Sequence, residues 1–163
     1  MSDPDETTKI TTILEEAVSS VFAEVAFIDV EKPRSVEAQE ANLEAEGKPD
    51  LLCAAIDVLS PLSYRLEIRV GKKLLDKIVE NLFPEGDLES RKKNAEDSLL
   101  EMLNIIAGNF ISAFFGAGSE TQLELPRYLY FSEKEGGTPV CGLSLDAEGE
   151  PVEVFLYSVR YRY

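Results

Sequence analysis

The stretch EDSLLEMLNIIAGNFISAFFG, residues 96–116, constrains the fold more than any other part of this sequence. Leu99, Leu103, Ile106, Phe110 and Phe114 recur every three or four residues, the spacing that aligns side chains along one side of an α-helix. Such a helix has to lie on another apolar layer to hide that side from water. At about 100° per residue, Asp97, Glu101, Asn104 and Gly108 fall within an arc of about 60° on the opposite side. Glycine inside a helix costs about 1 kcal/mol relative to alanine, so Gly108 calls for a compensating use. The close approach of another backbone is one such use.

The segments around this helix mix two periods. Ile10, Ile13, Leu14, Ala17, Val18, Val21, Phe22 and Val25 predict a first amphipathic helix, capped by Thr7 or Thr8, after a disordered stretch 1–6. Residues 31–50 are acidic and contain Pro33, Gly47 and Pro49, and read as a long connection. LLCAAIDV (51–58) is continuous enough for a buried strand, whereas YRLEIRV (64–70) alternates as a half-exposed strand does. Together they predict a hairpin. Leu74, Leu75, Ile78, Val79 and Leu82 predict a further helix, closed by Pro84 and Gly86. DLESRKKNAED then reads as a charged connector. Beyond Gly116 the pattern turns to strands: TQLELPRYLYF around Pro126, then VCGLSLD and VEVFLYSVRYRY joined by the turn AEGEP. The order predicts an α+β fold, an antiparallel or mixed β-sheet with long α-helices packed on it, as a single domain over residues 7–163.

Composition excludes several function classes. There are 31 acidic and 16 basic residues, a net charge of -15, which repels nucleic acid and anionic membranes. The same charge suits basic patches on proteins, or serves solubility alone. The chain has no histidine, which removes the commonest general base, the commonest metal ligand and the Ser-His and Cys-His arrangements. Cys53 and Cys141 lie in apolar, strand-like runs without CxxC spacing, and read as buried free thiols of a reducing cytoplasm. The polar start MSDPDETTKI lacks the features of a signal peptide, and no apolar run approaches the roughly 20 residues of a membrane helix. The expected localisation is cytoplasmic. On residue types alone, the polar stripe of the long helix reads first as a solvated face, with Gly108 admitting a neighbouring element of the same chain.

DSLLEMLNIIAGNF followed by Pro126 resembles the CheC/CheX/FliY family of chemotaxis phosphatases. Asp97, Glu101, Asn104 and Pro126 occupy the places of that family's signature, and a single copy is similar to the one-site CheX type. The corresponding places in the first helix are Thr12, Glu16 and Ser19, without an asparagine, so no second site is expected. The resemblance implies a phosphatase acting on the aspartyl phosphate of a CheY-like response regulator. It implies no cofactor of the chain's own, the Mg²⁺ residing on the partner receiver domain. Asn104 would hold the attacking water and Glu101 would pair with the receiver's lysine. Asp97, Gly108 and Pro126 would support them, Gly108 by leaving room for the receiver. The resemblance also reaches the middle domain of flagellar switch proteins, which keeps open a non-catalytic module binding a response regulator or a switch component. Homodimerisation through a sheet edge is a third expectation, with YSVRYRY as the candidate edge.

Overall fold

The computed structural model describes residues 3–37, 50–129 and 136–160. Helix α1 spans Pro4–Val25. It starts inside the stretch expected to be disordered, because Asp3 caps it, accepting a hydrogen bond from the Asp5 N–H, and Pro4 occupies the first turn, where no amide is needed. Strands β2 (Leu51–Ser60) and β3 (Tyr64–Gly71) form the expected hairpin, paired antiparallel from Leu51 with Gly71 to Val58 with Tyr64. Helix α2 covers Lys72–Leu82 and helix α3 covers Leu88–Phe115. The charged connector is therefore the first turns of α3, capped by Asp87, whose carboxylate accepts the Ser90 N–H at 2.7 Å.

Strand β1 (Val30–Ser35) falls within the segment read as a connection, whose residues 38–49 lie outside the described part. Among the described residues it is an edge strand, pairing with β6 alone, and all but Val30 is exposed. Its register slips between Glu31 and Arg34, with Lys32 in left-handed backbone, and this bulge accommodates Pro33, which has no amide to give to a ladder. The TQLELPRYLYF run yields two short strands, β4 (Gln122–Leu123) and β5 (Arg127–Leu129), on either side of Pro126. Strands β6 (Thr138–Ala147) and β7 (Glu150–Ser158) form a hairpin. Its two-residue turn needs positive φ at both positions, supplied by Glu148 and Gly149.

All pairings are antiparallel, in the order β1-β6-β7-β3-β2-β4, with β5 also on β2. YSVRYRY is not a sheet edge: β7 lies between β6 and β3, and residues 161–163 lie outside the described part. The core lies between the helices and one sheet face. Leu66, Ile68 and Val70 of β3, Val152, Val154 and Leu156 of β7, and Ala54 and Ile56 of β2 meet Leu14, Val18 and Phe22 of α1 and Leu99, Leu103 and Phe110 of α3.

The opposite face of β3 was expected to be half-exposed and is not. Arg65, Glu67 and Arg69 are 3%, 6% and 5% exposed. Glu67 takes hydrogen bonds from Arg65 Nε at 3.0 Å and Arg69 Nη2 at 3.4 Å. The two guanidiniums lie over the rings of Tyr157 and Phe155 on β7, at 5.3 Å and 4.7 Å from the ring centroids. Strict alternation places these polar residues on one face; the rings of Tyr157 and Phe155 on the neighbouring β7 help to cover that face.

Candidate functional site

The buried side of α3 fixes its roll on the sheet: Ala95, Leu99, Met102, Leu103, Ile106, Ala107, Phe110 and Ile111 are all buried. By length and composition α3 is apolar enough to cross a membrane, contrary to the expectation that no such run exists. Most of its apolar residues join the core formed with α1 and the sheet, which is why so apolar a helix occurs in this fold, while Leu88 at its start is exposed. At its far end Phe110 and Phe114 stack with centroids 5.8 Å apart, and Lys9 of α1 sits 5.7 Å from the Phe114 centroid.

With the roll fixed, the polar stripe is turned away from the core. Asp97 and Glu101 are exposed, and Asn104 and Gly108 are half-buried. A side chain at Gly108 would meet nothing within 4 Å. Among the described residues, no neighbouring element uses the space that this glycine leaves. The stripe is a continuous, firmly held surface of one carboxylate pair, one carboxamide and an open notch.

The fifth residue, Pro126, belongs to the turn between β4 and β5, on the β2 side of α3. That turn is pinned at both ends. The Glu124 N–H donates to the Asp57 carbonyl at 2.9 Å, and Arg127 Nη1 lies 3.2 Å from Asp57 Oδ2. Tyr128 crosses to the helix and donates its hydroxyl to the Glu96 carbonyl at 2.7 Å. Burial, and then the charges of Glu96 and Asp97, raise the Tyr128 phenol above its ordinary range, so it stays a donor at physiological pH. Sequence reading passed over Tyr128 and Arg127, because strand alternation marks faces and says nothing about a hydroxyl reaching a helix carbonyl.

The stripe contains no hydroxyl, thiol or amine, and among the described residues no cluster of three or more His, Cys, Asp or Glu could hold a metal ion. A cavity of about 730 Å³ opens elsewhere, between α2 and the start of α3, lined by Asp50, Leu52, Lys72, Leu75, Arg91 and Lys92. Lys92 and Glu101 are nine residues apart, half a turn around the helix, so this cavity and the stripe face opposite ways. Burial pushes the Cys53 and Cys141 thiols up to about 11, which removes both as nucleophiles.

Fold and surface together define a two-layer α+β protein that presents polar probes on a rigid helix. The chain belongs to the family described as chemotaxis phosphatase CheX, which it matches over residues 52–136, just over half its length. No curated protein matches it. Similar solved structures include CheX of Borrelia burgdorferi in a complex with CheY, BeF3 and Mg²⁺, with 18% identity, 92% of this chain and 97% of that one covered, and a TM-score of 0.66. A CheC-like superfamily protein from Shewanella sp. PV-4 has 16% identity, 98% and 100% coverage, and a TM-score of 0.68. The middle domain of FliM from H. pylori has 6% identity, 96% and 93% coverage, and a TM-score of 0.61. At these identities the likeness is one of fold.

Proposed function

We propose that this protein is a cytoplasmic phosphatase that hydrolyses the aspartyl phosphate of a CheY-like response regulator. The observation that carries this reading is the open face of α3, where Asp97, Glu101 and Asn104 stand beside an unoccupied notch at Gly108. Membership of the CheX family supports it, as does the structural likeness to a CheX described in complex with CheY.

The acyl phosphate and its Mg²⁺ belong to the receiver. Asn104 reaches toward the phosphoryl group and holds a water in line with phosphorus. Its carboxamide both donates and accepts hydrogen bonds, so it orients the water without titrating. The water oxygen bonds to phosphorus as the acyl P–O bond breaks, the receiver's aspartate leaves as a carboxylate, and the water's proton goes to solvent or phosphate. This is catalysis by position, which suits phosphoryl transfer because little covalent work falls to the protein. Glu101 pairs with the receiver's active-site lysine and sets the docking. Asp97 favours the arrangement from one turn before, and Gly108 admits the receiver's backbone.

The test is phosphate release from a phosphorylated CheY-like receiver with Mg²⁺, at catalytic amounts of wild type and of Asn104→Ala. Acceleration by wild type alone is expected. The likeness to the FliM middle domain favours one second reading, a binding module without turnover. Binding of the phosphorylated receiver in proportion to added protein, with no acceleration of phosphate release, would establish that instead.

A further inference from the structure

Leu125 is a large apolar side chain exposed at 85%, yet its turn is held by Asp57 at both ends. A single exposed leucine is ordinary on a mobile loop. On a pinned turn it is a fixed apolar projection.

Its height along the helix follows from the chain path. Helix α3 starts beside Asp50 and Leu52 at one end of β2, and the segment after it returns at the other, where Ser60 Oγ donates to the Glu120 carbonyl. Strands β4 and β5 then run back, pairing with Val58 and Ser60 and then with Cys53 to Ala55. Going from Tyr128 to Leu125 is therefore travel in the direction from Asp97 to Asn104. Seven helical residues rise about 10.5 Å and return to within about 20° of the same angle. Three extended residues cover about 10 Å. Tyr128 is at the level of Glu96 and Asp97, so Leu125 is at the level of Asn104.

We propose that the β4–β5 turn, presenting Leu125, is the apolar flank of the receiver-docking surface, and that Tyr128 is the positioning residue holding it level with Asn104. This rests on the phosphatase reading above. The occupant is the receiver domain because Tyr128 ties this segment to the turn of α3 just before Asp97, next to the stripe that carries Asn104 and Glu101. The turn's three tethers mean that little ordering is lost when the receiver docks.

Steady-state dephosphorylation of a phosphorylated CheY-like receiver tests this. Leu125→Ser is expected to raise KM about fivefold with kcat unchanged, and Leu125→Met to keep the wild-type KM. Tyr128→Phe, which removes only the hydroxyl, is expected to raise KM about threefold with kcat kept. A tyrosine with a merely structural role would lower Tm and leave KM unmoved. An unchanged KM in Leu125→Ser, with Asn104→Ala inactive, overturns the flank and leaves the phosphatase reading standing. If wild type neither turns over the receiver nor binds it with beryllium fluoride and Mg²⁺, the reading fails and the flank with it.

Discussion

Asn104 and Gly108 make the same demand on one helix. An asparagine and a glycine both weaken a helix interior relative to alanine, so their presence in the long apolar stretch of α3 needs a use outside the fold. Asn104→Ala is expected to leave folding intact and lower phosphate release by about 100-fold or more, as a misplaced reacting group does. Gly108→Ala is the sharper case. The added methyl meets nothing within 4 Å, so it should stabilise the helix by about 1 kcal/mol and raise Tm by about 2–4 °C. It also narrows the notch, and the receiver's KM should rise. A variant that gains stability and keeps the wild-type KM would remove Gly108 from the docking face. The residue types of the stripe were legible in the sequence. That the notch stays empty was not, since no pattern tells which element packs beside a glycine.

At the scale of elements, the start of α3 decides how rigidly the stripe is held. The Ser90 N–H, then the Ser90 hydroxyl, and last the Glu89 N–H, hold the Asp87 carboxyl below its usual range. A depressed folded pKa gives stability that is present above the unfolded value and lost as pH falls through the folded one. Asp87→Ala should therefore lower Tm at neutral pH, and the gap from wild type should close on acidification below about pH 4. A gap that persists in acid would assign the loss to something other than the cap. The β1 strand shows the reverse limit on reading from sequence. Its residues are polar and include Pro33, and pairing with β6 alone, on an exposed edge, lets such residues form a strand. The two short strands around Pro126 were read as one run for a related reason: the break is set by how each half finds β2.

Over the whole molecule, the sheet's second face carries the largest departure from expectation. Glu67 lies between two buried guanidiniums, so Glu67→Gln leaves both without their carboxylate. The cost should be about 3–5 kcal/mol, a fall in Tm of about 10 °C. A drop of under a degree or two would show that other groups neutralise Arg65 and Arg69. The thiols report the same packing: with both raised to about 11, iodoacetamide at pH 7.5 should modify Cys53 and Cys141 only after denaturant unfolds the protein. By itself the sequence determined the periods: which of the strongly patterned runs are helices and strands, that the class is α+β, and that Asp97, Glu101, Asn104 and Gly108 share a helix face. These depend on spacing along the chain, which local geometry converts directly into faces. Only the tertiary structure decided which faces are buried, that β3 hides both of its own, that β7 is interior, and that Tyr128 ties the Pro126 turn to α3. Those depend on which distant segments meet, and no local period carries that information.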